Sequence, residues 1–316
     1  MSGYANFTKI DIFSHIMTEG FVKKYVELNP SIQKRVEFYT YPVHDLEIRR
    51  KLQRRYPDVL QVVTMANIPL EKFCPNDEAP ALARLGNEEL AELLLRNPDL
   101  FFGAVACLPM QDVDASLEEI DYALGTLKLD GIQVFTRING EKLSDPKFLP
   151  IFEKMAAYNK PIWIHPDTNN TLDWDVGVFS WPYETSVCMF NLVQSGLFNK
   201  FPDLKIIVHH AGAMAPFFKE RIKYVLSNVP QPFPNTYEHF KKFYVDTAVY
   251  GNTDALMTAY NYYGADHMFF GTDAPLGPRW GMVEDTIASI DRMAIPDEDK
   301  EKILKRNAID LFKCVV

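Results

Sequence analysis

Four of the seven histidines stand at the ends of short apolar runs, and an aspartate ends another. D-I-F-S-H closes on His15, P-I-W-I-H-P on His165, K-I-I-V-H-H on His209 and His210, and M-F-F-G-T-D on Asp273. Neutral imidazole and carboxylate are donors suited to Zn, Mn or Fe. A site that keeps one coordination position open lets such an ion polarise a carbonyl or activate water. Each residue alone has a plainer reading. A histidine at a strand end is often a hydrogen-bonded structural residue, and Asp273 before Ala274-Pro275 could serve as a turn former. Their concentration favours a metal-assisted site. A serine triad is disfavoured because no G-x-S-x-G elbow is present, and no glycine-rich phosphate cradle follows a strand. His44, His239 and His267 lack this placement and read as surface or helix-adjacent residues.

The elements that must position these groups alternate along the chain. The patterns predict strands over Phe7–Phe13, Val59–Ala66, Phe101–Leu108, Gly131–Phe135, Pro161–His165, Lys205–His210, Phe243–Ala248 and His267–Gly271. Helical spacing fills the intervals, including Glu78–Arg96, Asp112–Leu127, Glu184–Phe198, Ala213–Leu226 and Thr253–Tyr262. Such alternation is the pattern of an α/β (β/α)8 TIM barrel, whose chemistry sits at the C-terminal ends of its strands. His15, His165, His209, His210 and Asp273 are all expected on that rim. Residues 17–57, between strands one and two, are too long for a simple connection and are expected to form an insertion over the barrel mouth.

The 316 residues, 47% of them hydrophobic, suffice for one large core, so residues 1–316 are expected to form a single domain. A net charge of -9 gives no general attraction to nucleic acid or anionic lipid, so neither is expected as a partner. An acidic substrate then needs a local cation. The opening M-S-G-Y-A-N-F-T has no basic, apolar leader pattern, and no run reaches about 18 apolar residues. Cys74, Cys107, Cys188 and Cys314 match no zinc or disulfide spacing. A cytoplasmic protein with reduced thiols is the expectation.

Taken together, I-D-I-F-S-H, G-I-Q-V-F-T, P-I-W-I-H-P, W-P-Y-E-T, L-F-N-K-F-P-D-L-K-I-I-V-H-H-A-G, F-Y-V-D-T-A and F-F-G-T-D-A-P span almost the whole chain. In this order they resemble the decarboxylase branch of the amidohydrolase superfamily. That group contains aminocarboxymuconate semialdehyde decarboxylase and the hydroxybenzoate decarboxylases. The resemblance implies metal ligation by His15, His165 and Asp273, with a divalent ion, Zn or alternatively Mn. It also implies proton transfer or charge stabilisation by His210 and proton transfer by Asp273; His210 matches the catalytic position better than His209, which should alternate inward. A homodimer or larger homo-oligomer is implied as well, with Tyr260–Tyr263 one candidate surface.

Phe13 departs from the pattern, because relatives place a histidine or glutamate ligand there and phenylalanine cannot ligate. Three protein ligands would remain, and Glu19 or Glu184 could compensate. The substrate implied is a small aromatic or unsaturated carboxylic acid. Arg49 or Arg50 would grip its carboxylate, Phe13 and Tyr183 would line its ring together with Trp163, Phe179 and Trp181, and Glu184 would lie nearby; Arg137 also follows strand four. The reaction implied is non-oxidative decarboxylation. A proton reaches the carbon bearing the carboxylate, and the C–C bond then breaks. Hydrolysis or hydration at the same site is the alternative. A metal-free barrel without catalysis is the second alternative, raised by Phe13.

Overall fold

A β-sheet covered by helices on one face and packed on the other is buried on both, and these strands are. All seven residues of β2 (Val59–Met65) are buried, as are seven of the eight in β1 (Lys9–Ile16). The computed structural model describes residues 9–38, 41–66, 68–167, 176–277 and 282–312. Phe7, the expected start of the first strand, and Cys314 lie outside them.

Next come β3 (Phe101–Cys107), β4 (Ile132–Phe135), a small antiparallel pair β5 (Arg137–Ile138) and β6 (Glu141–Lys142), β7 (Ile162–His165), β8 (Ile206–Val208) and β9 (Tyr244–Val245). Among the described residues, β1-β2-β3-β4-β7-β8-β9 form one parallel sheet in that order. Residues 268–274 then join its two edges. Phe269 N–H donates to the Val245 carbonyl, Ile12 N–H to Phe270 and Asp273 N–H to Phe13, with bridges at Val245–Met268 and Ser14–Ala274. The expected eighth strand is thus an extended segment without a regular ladder. One reason is that a side chain, Asp11 Oδ1, takes the Thr272 N–H at 3.0 Å.

Inside the curl lies an apolar layer of Ile10, Ile12, Val62, Val105, Trp163, Ile207 and Phe269. Their strand neighbours Val63, Ala104, Ala106, Ile162, Ile164, Ile206 and Val208 face the helices instead. Period-two alternation therefore points Thr64, His165 and His209, each two residues beyond a member of the inner layer, to the same interior. Trp163, a candidate substrate wall, is instead core: it is fully buried, stacks on Phe312 and donates Nε1–H to the Ile12 carbonyl.

Residues 19–53 fold as helices Glu19–Leu28, Gln33–Phe38, Tyr41–His44 and Leu46–Gln53. The Tyr25 hydroxyl donates to the Pro69 carbonyl and Asn29 Nδ2 to Phe73, tying the segment to the connection after β2. Met17 N–H donates to the Val43 carbonyl, tying it to the end of β1. Tyr262 and Tyr263 are buried, so half of the Tyr260–Tyr263 surface candidate is core. No helix among the described residues is long and apolar enough to cross a membrane.

Candidate active site

Phe13 and His15 face the same interior because β1 carries a bulge. Asp11 pairs with Gln61 but Ser14 pairs with Val63, so three steps on β1 match two on β2 and the inward parity shifts after Ile12. Asp11 pins the bulge. Its Oδ1 accepts from Phe13 N–H at 3.1 Å and Thr272 N–H at 3.0 Å, and its Oδ2 accepts from Thr272 Oγ1 at 2.6 Å. Burial pushes its pKa up to about 7.

His15 is fully buried, with Nδ1 3.0 Å from Thr64 Oγ1 and Nε2 3.0 Å from Asp273 Oδ1. The latter approach is close but not aligned as a hydrogen bond, so Nε2 has no partner. At His165, Nδ1 lies 2.8 Å from the Pro166 carbonyl, which can only accept; the proton is therefore on Nδ1 and the lone pair on Nε2. Burial, then His15 and His209, hold this imidazole well below its ordinary pKa, so it is neutral. His15 and His165 ring centroids are 5.6 Å apart.

After β8 the chain turns through left-handed backbone at His210, Ala211 and Gly212, with φ of 59°, 57° and 78°. Strained backbone of this kind persists only where its surroundings enforce it. Asp246 does so here: its Oδ1 accepts from His210 N–H at 2.8 Å and Ala211 N–H at 3.3 Å. Its Oδ2 lies 2.8 Å from His209 Nδ1. Burial lifts Asp246 to about 6, leaving it a carboxylate at neutral pH. Burial first, then His210 and His15, keep His209 neutral. Nε2 of His209 and Nδ1 of His210 are buried without hydrogen-bond partners. Asp273 adds a further left-handed position, with φ of 67°.

Phe13 lies among these rings. Its centroid is 3.5 Å from His209, 4.8 Å from His15, 6.1 Å from His165 and 6.2 Å from His210. Phe135 and Trp181 flank His165 at 5.7 and 6.2 Å. The structure thus brings His15, His165, His209, His210, Asp273 and Phe13 together, and adds Asp246. Among the described residues no group of three or more His, Cys, Asp or Glu side chains is placed, as it stands, to hold a metal ion. The donors are nonetheless of the right kind, and buried imidazole nitrogens left without partners are what a missing cation would satisfy.

The arginine expectations need correction. Arg49 is fully buried beneath β1, donating to Ser14 Oγ, the His15 carbonyl and Gln61 Oε1, so it is not available to substrate. Arg50 pairs with Asp99 and Asn97, just before β3 and so at the opposite end of the strands from the site. Arg137 pairs with Glu184 at 2.8 Å, one helical turn from Trp181. Glu184 is therefore engaged, Glu19 is exposed, and Tyr183 and Phe179 are 57% and 71% exposed. Asp11 and Asp246 lie within the quoted stretches I-D-I-F-S-H and F-Y-V-D-T-A, but the sequence assigned neither a role. For His209, the alternation from Ile207 was the available signal.

Comparison with known proteins agrees with this geometry. The amidohydrolase family model matches residues 41–314. The 6-methylsalicylic acid decarboxylase of Penicillium expansum is 30% identical over 247 residues, covering 74% of this chain and 76% of that one. The 2-amino-3-carboxymuconate-6-semialdehyde decarboxylase of Dictyostelium discoideum is 29% identical over 282 residues, covering 85% and 76%. A crystal structure of a dihydroxybenzoic acid decarboxylase from Polaromonas, with bound manganese and the inhibitor 2-nitroresorcinol, superposes with a TM-score of 0.79 at 25% identity, covering 96% of each chain. The chain belongs to the amidohydrolase family.

Proposed function

We propose that this protein is a metal-dependent, non-oxidative decarboxylase of a small aromatic or unsaturated carboxylic acid. The observation that carries the reading is one interior holding His15, His165 and Asp273, with a buried, unpartnered His15 Nε2, in a chain whose relatives are decarboxylases. His15, His165 and Asp273 would hold the ion. A divalent metal there, Zn or Mn, supplies Lewis acidity toward an oxygen of the substrate. A metal-free barrel would be expected to hydrogen-bond its imidazoles to one another, yet His15, His165 and His209 bond to Thr64, Pro166 and Asp246.

The chain's own groups divide the remaining work. Phe135, Trp181 and Phe13 offer flat apolar faces to a ring. Arg137, on the rim after β4, would replace Arg49 and Arg50 as the guanidinium for the substrate carboxylate, turning to it from its Glu184 partner. Asp273 delivers a proton to the carbon bearing the carboxylate. The C–C bond then breaks, its electron pair restores the conjugated system, and carbon dioxide leaves. His210, with its buried Nδ1 unpartnered, stabilises the charge that develops or relays the proton. A cytoplasmic homo-oligomer, built on a (β/α)8 barrel with residues 17–57 inserted at its mouth, completes the reading. The free thiols of Cys74, Cys107 and Cys188 fit the cytoplasm and the ring-like closure of the sheet fits the barrel, while the homo-oligomer is what the resemblance implies.

The test is carbon dioxide release from a panel of hydroxybenzoates and a muconate semialdehyde, with Asp273→Asn as control. Turnover on at least one acid is expected, with kcat lowered roughly 10²–10⁴-fold in the variant. No release from any acid, or hydrolysis of a lactone or ester panel instead, would refute the assignment.

A further inference from the structure

The phenyl ring at position 13, where the resemblance implies a ligand, is stacked on His209. Phe13 and His209 lie 3.5 Å apart with planes 15° from parallel. His209 shares the wiring of the two expected histidine ligands. His15 is engaged at Nδ1 by Thr64 Oγ1, His165 by the Pro166 carbonyl and His209 by Asp246 Oδ2, at 3.0, 2.8 and 2.8 Å. An outer oxygen on one ring nitrogen, fixing the tautomer and turning the other nitrogen inward, is how proteins orient imidazoles that ligate metals. His165 stands midway, with its ring centroid 5.6 Å from both His15 and His209.

A purely structural His209 would be poorly designed. It is fully buried, and its Nε2 has no partner, an omission that costs stability. A proton-donor role fits no better, because Asp246 takes the Nδ1 proton and the neutral ring offers only a lone pair at Nε2. What a buried, oriented lone pair can serve is a cation.

We propose that His209, oriented by Asp246, supplies the nitrogen donor that Phe13 removed, so that the metal set is His15, His165, His209 and Asp273. The proposal rests on the metal-assisted reading above. It asks the four donors to draw together around the ion, since none of them is yet grouped as a metal site, while the Phe13 ring keeps its face on His209. The ligand has moved from the first strand to the sixth of the ring, and the aromatic ring that replaced it fixes the plane of the new donor.

The experiment is titration of chelator-stripped protein with Co²⁺ and Zn²⁺ against a chromophoric competitor. The visible spectrum of the Co²⁺ form reports nitrogen ligation, and circular dichroism verifies folding. Wild type is expected to bind one equivalent. His209→Gln should weaken binding at least 100-fold with an altered Co²⁺ spectrum. Asp246→Asn should weaken it about 10–100-fold, as loss of an orienting carboxylate does. Phe13→His in the His209→Gln background should recover much of the affinity. If His209→Gln does not fold, the Asp246→Asn shift decides. Unchanged affinity and spectrum in the folded variants would overturn the role of His209 while leaving the metal reading intact. Folded wild type that takes up neither ion would overturn both.

Discussion

Arg49 is a cation buried within the core, and its partners explain why it stays there. Its Nε and Nη2 reach Gln61 Oε1 at 3.1 and 2.9 Å, Nη2 also reaches Ser14 Oγ at 2.5 Å, and Nη1 reaches the His15 carbonyl at 2.7 Å. Burial lowers its pKa to about 10, with Asp11 opposing, so it remains charged. Arg49→Met would strand those acceptors, and a loss of about 2–4 kcal/mol in urea unfolding is expected, with KM for the acid little changed. A raised KM at unaltered stability would return Arg49 to the substrate. At this scale the sequence was readable where residue type and strand parity coincide, as at His15, His165 and Asp273. It misled at Arg49 because a charged residue in a helix gives no sign of which way it will be buried. It gave Asp246 no role, although F-Y-V-D-T-A holds it just after a two-residue strand, because nothing in the stretch shows what the carboxylate will grip.

The elements meet most tightly where β1, β9 and the closing segment converge. A Cβ built on Gly271 would lie 2.8 Å from Asp246 Cβ and 3.1 Å from Phe13 Cβ, and both neighbours are held by hydrogen bonds. The glycine thus allows the carboxylate that orients His209 and the ring that stacks on it to approach one another. Gly271→Ala is expected to cost about 1–3 kcal/mol in chemical denaturation, because overpacking at a fixed site cannot relax cheaply. It should also weaken metal uptake in the same direction as Asp246→Asn. Wild-type values for both quantities would show that the junction is looser than the geometry indicates. Element order was legible from hydrophobic periodicity, since parallel strands buried on both faces read as apolar runs. The bulge was not. D-I-F-S-H alternates in writing as an unbroken strand would, and only the pairing with β2 and the grip of Asp11 show the shifted parity.

Across the whole molecule, buried ionisable groups set opposing limits on stability. His165 and His209 are held neutral, so their contribution is present above the usual histidine range and is lost as pH falls and protonation favours the unfolded chain. Buried carboxyls act on the other side, and Glu71 is the clearest. It sits in the short helix Leu70–Phe73 after β2, is 5% exposed, and has Oε1 without a partner. Burial, and secondarily Asp167, raises its pKa from 4.5 to about 8 against the weaker pull of its own backbone N–H and Lys72. The folded state therefore binds this proton more tightly than the unfolded chain. The associated stability is complete below about 4.5 and is lost as pH rises through about 8. Glu71→Gln keeps the shape and removes the titration. Unfolding free energies measured from pH 5 to 8.5 should fall for wild type and fall less for the variant. The gap should widen by a few kcal/mol, because one proton bound only by the folded state is worth about 1.4 kcal/mol for each pH step of one. Asp11, raised to about 7, retains its own slope in both proteins, so the variant's curve flattens without becoming level. Parallel curves for wild type and Glu71→Gln would mean that Glu71 meets solvent or a cation in solution.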